Sequence, residues 1–135
     1  MRARLLTIGD AEGPVLSLDE PLSFWGAFEP RNGVILDVHH PQRGACVKDT
    51  VLVMTETRGS GSAPGAIAEA IRLGTAPAAI ILAEADINLA VGAEVAATLY
   101  GRRCVVACVS AAELAELRRA RWISIAADGD VTVST

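Results

Sequence analysis

The sequence predicts an α/β fold, a layered domain with a mixed sheet and flanking helices. Three features of the 135 residues point to it. The front part holds short apolar or alternating runs parted by turn residues, the signature of strands and hairpins. From Thr50 onward, apolar runs of strand length alternate with segments of helical period, the βαβ pattern. Hydrophobic residues make up 51% against 21% charged, enough for a core without disulfides and the opposite of a disordered chain. No linker, repeat or low-complexity tract interrupts the chain, so residues 1–135 read as one domain.

In chain order, Arg2 to Ile8, Val15 to Leu18, Val34 to Val38 and Thr50 to Met54 read as strands. The turns between them are Glu12-Gly13-Pro14, Asp19-Glu20-Pro21, Arg31-Asn32-Gly33 and His40-Pro41. After Thr50 a helix follows with Ile67, Ala70 and Ile71 inward and Gly74 as its stop. Ala79 to Leu82 is the next strand. A second helix covers Val91 to Leu99, with Val91, Val95 and Leu99 expected to face inward and Gly101 to end it. Val105 to Val109 is a strand, and Ser110-Ala111-Ala112-Glu113 is a capping box that opens a third helix with Leu114 and Leu117 inward. Trp122 to Ala126 and Val131 to Val133 close the chain as a hairpin around Asp128-Gly129-Asp130.

A net charge of −4 excludes a broad basic footprint for nucleic acid. The longest uncharged run, Leu73 to Ala83, is broken by Gly74 and Pro77 and is too short to cross a membrane. The start, Met1 to Asp10, lacks the apolar stretch of a signal peptide, so the cytoplasm is the expected compartment. The three cysteines, Cys46, Cys104 and Cys108, suit a reducing environment. Cys104 and Cys108 lie about 13 Å apart along one strand, too far for a disulfide, and pack on one face. The high apolar content suggests that some of it is surface meant for a partner.

The chemistry-bearing segment is Arg58-Gly59-Ser60-Gly61-Ser62-Ala63-Pro64-Gly65, between a buried strand and a helix. Ligands of parallel α/β sheets bind outside the carboxyl ends of such strands. Glycines admit close backbone approach, a helix start offers free N–H groups to an anion, and Arg58 adds a permanently charged fork. Ser60 stands between two glycines with its hydroxyl unobstructed. The same pattern also fits a serine that only caps the helix. Gly59, Gly61 and Gly65 with Glu84 look superficially like a dinucleotide fingerprint, one residue too long, and the absence of lysine rules out a P-loop. Asp37-Val38-His39-His40 with Cys46 reads as turn packing, a metal site being the alternative. Trp25 reads as a core or interface anchor, and Arg118, Arg119 and Arg121 as a solvated helix end.

Taken in order, Pro21-Leu22-Ser23-Phe24-Trp25-Gly26, Asp37 with His40-Pro41 and Gly44, Val51-Leu52-Val53, Arg58-Gly59-Ser60 and Gly74-Thr75-Ala76-Pro77-Ala78-Ala79-Ile80-Ile81 resemble the small subunit of aconitase X, from about Leu18 to Val109. The resemblance implies the swivelling β/β/α fold of the mobile aconitase domain. It also implies a large-subunit partner that holds an iron–sulfur cluster, as a heterodimer or a fused chain. The implied activity is a hydro-lyase acting on a small hydroxy acid, either cis-3-hydroxy-L-proline, favoured here, or mevalonate 5-phosphate. The family's catalytic base carries over to Ser60, with Arg58, Gly59, Gly61 and Ser62 as substrate contacts or supports of the base. Related chains often continue with further small polar residues and a glycine-serine pair, where this chain has Ala63-Pro64. Cys46, Cys104 and Cys108 have no ferredoxin-like spacing, which fits a cluster on the other subunit and no metal on this one. The alternatives outside this family are an anion- or nucleotide-binding module and a partner domain without chemistry of its own. Mevalonate 5-phosphate needs a cationic cradle for its phosphate, and Arg58 is the only cation in the motif.

Overall fold

Four parallel strands form the centre of a seven-stranded sheet in a computed structural model that describes residues 1–24, 27–57 and 63–134. These are β2 (Ala11–Ser17), β5 (Val51–Val53), β6 (Ala79–Leu82) and β7 (Val105–Cys108). Antiparallel β1 (Arg4–Leu5) closes one edge beside β7, and β8 (Trp122–Ile125) with β9 (Val131–Ser134) closes the other beside β2. A separate two-stranded ladder, β3 (Phe28–Glu29) with β4 (Val34–Ile35), carries the loop region between β2 and β5.

Register divides the sheet residues between two layers. Leu52, Ile80 and Val106 pair across the sheet and face α1 (Ala63–Leu73) and α2 (Ile87–Tyr100), meeting Ile67, Ala70, Ile71, Leu89, Ala93 and Ala96. Their neighbours Val53, Ile81 and Ala107 point the other way, toward α3 (Ala111–Leu117) and the β8–β9 hairpin, meeting Leu114, Leu117, Ile123 and Ile125. Both faces of the parallel strands are covered, so these strands read as continuous apolar runs. Each fully buried aliphatic side chain contributes about 1.5–3 kcal/mol relative to exposure.

The expected α1, α3, β6, β7 and terminal hairpin stand as read. Gly74, at φ +77°, stops α1, and Ser110 and Glu113 form the capping box of α3. The front strands are shorter than expected: β1 keeps two residues of Arg2 to Ile8, and β4 two of Val34 to Val38.

Two readings are corrected. Glu12-Gly13-Pro14 is strand, not turn: β2 runs through it, pairing with β8 over Ala11 to Pro14 and with β5 over Val15 to Ser17. Pro14, which has no N–H, sits where the strand changes partner. Gly13 is required because a Cβ there would lie 2.6 Å from the Asp49 carbonyl oxygen. In α2, Val91, Val95 and Leu99 face outward, 54%, 50% and 66% exposed, while Leu89, Ala90, Gly92, Ala93, Ala96 and Ala97 are buried. The helix is apolar on every side, so periodicity could not choose its inner face. The small residues won because α1 packs against them at close range.

Candidate functional site

Parallel pairing in register sets the carboxyl ends of β5, β6 and β7 side by side. The segments leaving them are stitched together by the backbone. Met54 N–H donates to Ile81 O at 3.2 Å, Ala83 and Glu84 N–H both donate to Thr55 O at 2.9 and 3.0 Å, and Val109 N–H donates to Leu82 O at 2.9 Å. From this ledge the chain leads into the glycine-serine motif.

Arg58, Gly59, Ser60, Gly61 and Ser62 lie outside the described residues, as does Trp25. What is described is the chain on either side of the motif, and α2 touches both sides. Upstream, the Thr57 hydroxyl donates to the Asp86 carboxylate. The other oxygen of Asp86 accepts from Leu89 N–H at 3.0 Å, making Asp86 the N-cap of α2. Downstream, Gly92 abuts Pro64, where an added Cβ would come within 2.8 Å of Pro64 Cα and carbonyl oxygen. Thr57 also forms a parallel bridge with Leu22, which brings the 21–24 segment alongside the motif's entry.

The charges around this ledge are arranged by tertiary contacts. Arg118 is not a solvated helix end: its guanidinium donates to Ser17 Oγ at 2.7 Å and Leu18 O at 2.6 Å and reaches Thr55 Oγ1 at 3.4 Å. It braces the carboxyl ends of β2 and β5 from α3. Glu56 and Glu84 meet across the ends of β5 and β6. A side-chain hydrogen bond to Glu56, reinforced by that group's charge, holds the Glu84 carboxyl above its ordinary range. The first turn of α1 carries no acidic residue, so nothing there competes with an anion for the helix start.

The cysteines do not make a cluster site. Cys104 is buried at the amino end of β7, where burial pushes its thiol up to about 12; Cys108 lies at the opposite end of that strand and Cys46 is exposed in the front loops. Among the described residues no group of three or more His, Cys, Asp or Glu side chains could hold a metal. His40 is buried with both ring nitrogens engaged, Nε2 with Glu20 O at 2.9 Å and Nδ1 accepting from Gln42 N–H at 3.0 Å. It secures the front loops, as turn packing requires. A cavity of about 690 Å³ lined by Lys48, Asp49, Arg102 and Arg103 opens at the amino ends of the parallel strands, away from the motif. No helix among the described residues is long and apolar enough to cross a membrane.

Sequence reasoning missed Thr57, Asp86 and Gly92 and misread Arg118 as solvated. Two carried a local signal. Asp86 stands three residues before Leu89 at the start of an apolar run, an N-cap pattern. Gly92 is a glycine inside a helix, which marks close packing.

Comparison with known proteins matches residues 1–134 to the family model described as the aconitase X swivel domain. A cis-3-hydroxy-L-proline dehydratase of Pseudomonas aeruginosa is 42% identical over 106 residues, 78% of this chain and 18% of that protein. A phosphomevalonate dehydratase small subunit of Thermococcus sibiricus is 32% identical over 134 residues, 98% of this chain and 97% of that one. The chain thus spans about a fifth of the length of the hydroxyproline dehydratases it matches. The crystal structure of Thermococcus kodakaraensis aconitase X in its holo-form superposes with a TM-score of 0.81 at 26% identity, covering 99% of this chain and 97% of that chain.

Proposed function

The chain belongs to the aconitase X swivel-domain family, and we propose that it is the small subunit of a hydro-lyase that dehydrates cis-3-hydroxy-L-proline to a pyrroline carboxylate. The observation that favours this substrate is an identity of up to 42% with a cis-3-hydroxy-L-proline dehydratase, against up to 38% with the phosphomevalonate dehydratase small subunits. In this reading the chain acts as one domain in the cytoplasm, with a large catalytic subunit as its partner and an iron–sulfur cluster held by that partner.

The chain's own part follows from its motif. Ser60 takes the proton from the carbon beside the substrate carboxylate. The C–H electron pair becomes the new double bond as the C–O bond breaks. The departing hydroxide takes a proton from water to leave as water, and Ser60 gives its proton back to solvent when the site reopens. A serine is a poor base in water, so its alkoxide needs Arg58, the backbone N–H groups near Gly59 and Gly61, and a site closed to solvent. Arg58 serves either this role or a forked grip on the carboxylate, and Ser62 supplies a second hydroxyl. The support for this arrangement is the ledge itself: parallel strand ends, with α2 holding the chain on both sides of the motif.

A second reading, dehydration of mevalonate 5-phosphate, is favoured by length, since the chain covers 97% of a phosphomevalonate dehydratase small subunit. The deciding experiment mixes this chain with the large subunit of the same organism and follows product from each compound. Turnover of cis-3-hydroxy-L-proline alone is expected. Turnover of mevalonate 5-phosphate alone overturns the substrate, and dehydration by the small chain without a partner overturns the two-chain reading.

A further inference from the structure

We propose that the outward face of α2 is the surface on which the large subunit docks; this rests on the two-chain reading above. Ile87, Val91, Val95 and Leu99 follow one another at intervals of four and form a continuous stripe down the solvent side of the helix. Ile87 is 60% exposed, and Ile8, which follows β1, is 68% exposed beside them. Ile8 is fixed there: its N–H donates to Glu94 Oε1 at 2.9 Å, and Arg103 binds both that oxygen, at 3.1 Å, and the Ile8 carbonyl, at 2.9 Å. Glu94 is the one charged residue in α2, and it is occupied in this way. A partner covering the stripe therefore strips water mainly from apolar groups, with Thr98 and the Glu94–Arg103 pair beside them.

Three observations identify the occupant as the large subunit. A helix apolar on all sides belongs inside a structure, and α2 has only one side buried here. The five side chains expose on the order of 550 Å² of apolar surface, near the upper end for the largest patch of a monomer. Self-pairing through the stripe alone would bury roughly 1,100 Å² in total, at the low edge of stable interfaces, which favours a partner that reaches beyond the stripe over a second copy of this chain. The stripe's upper end supplies the direction: Ile87 follows Asp86, which holds Thr57 at the entry to the motif. A partner seated on Ile87 and continuing beyond it arrives at Thr57, from which the chain enters the motif. In the hydroxyproline dehydratases that resemble this chain, about four fifths of the polypeptide lies outside the matched region. That is mass enough to cover both. A shallow groove of about 260 Å³ between Glu94, Val95, Thr98 and Leu99 offers a seat for one apolar side chain of that partner.

The test is binding of purified large subunit to the wild-type chain and to Val95→Glu and Leu99→Glu, with Val133→Glu on β9 as an exposed apolar control. All four are checked for folding by circular dichroism. Both stripe variants bind at least ~100-fold more weakly because each leaves an unpaired charge in the contact, while the control stays within about twofold. If the wild type and both stripe variants bind alike, the surface assignment is overturned and the two-chain reading stands. If the wild type binds no large subunit, that reading falls and takes the surface with it. A wild-type chain that dimerises through the stripe, losing the dimer in Val95→Glu while still binding the large subunit, assigns the face to a second copy and overturns the proposal.

Discussion

Gly92 of α2 lies against Pro64 of α1 with no room for a methyl group between them. Pro64 is two residues beyond Ser62 in sequence, so this contact holds the first turn of α1 just downstream of the motif. Alanine at 92 gains about 1 kcal/mol of helix propensity but must push backbone aside, which costs about 1–3 kcal/mol. Gly92→Ala is therefore expected to lower stability slightly and turnover more than stability. Calorimetry and the reconstituted dehydratase assay measure both; a more stable variant with full turnover would remove Gly92 from any positioning role.

Thr57 and Asp86 form the matching constraint upstream. Thr57→Val and Asp86→Ala each cost about 1–2 kcal/mol, Asp86→Ala through the lost cap as well. Because the two side chains share one hydrogen bond, the double variant falls short of additivity by about 1 kcal/mol. Urea denaturation of the four proteins gives the coupling, and strict additivity would contradict the contact.

Ser60→Ala is expected to lower turnover by about 10²–10⁴-fold with assembly intact, since it removes the proposed base. Stability is expected to change by less than about 1 kcal/mol, since the substitution removes a single hydroxyl between two glycines. Ser62→Ala is milder. The reverse ranking in the same assay would place the base two residues further on.

Glu84 predicts a pH dependence. Its carboxyl titrates above the ordinary range in the folded chain because of Glu56. For a raised carboxyl, the folded state holds the proton more tightly than the unfolded one. The stabilisation is complete below the unfolded value and is lost as pH rises through the folded value. Glu56→Gln should return Glu84 toward the usual carboxylate range and raise Tm at neutral pH relative to acid pH. Carbon-detected NMR titration of the Glu84 carboxyl checks the first part; an unchanged titration would mean the pair does not interact in solution.

The helices and strands after Thr50 were legible because their signals are local: Gly74 as a stop, Ser110 with Glu113 as a box, apolar runs of four residues. The same locality explains the errors. Gly13-Pro14 has the composition of a turn, and only the strand's two partners, β5 and β8, reveal it as sheet. Val91, Val95 and Leu99 have the spacing of a buried face, and only the closeness of α1 assigns that face to Gly92 and Ala93. The place of the motif between a strand and a helix was legible from its glycines and serines. Its supports were not, because the partners of Thr57 and Gly92 are 29 and 28 residues away and Arg118 reaches Ser17 across 101. No periodicity encodes such pairs.

The change of partner along β2 also orders the birth of the fold. Its Val15-to-Ser17 half can join β5 once half the chain has left the ribosome, but its Ala11-to-Pro14 half waits for β8, more than a hundred residues later. Until then an unpaired strand edge stands open in the middle of the future sheet, the kind of edge that recruits neighbouring chains. The terminal hairpin is thus the clasp of the nascent molecule, and a chain interrupted before Trp122 would be expected to aggregate rather than persist as a smaller soluble piece.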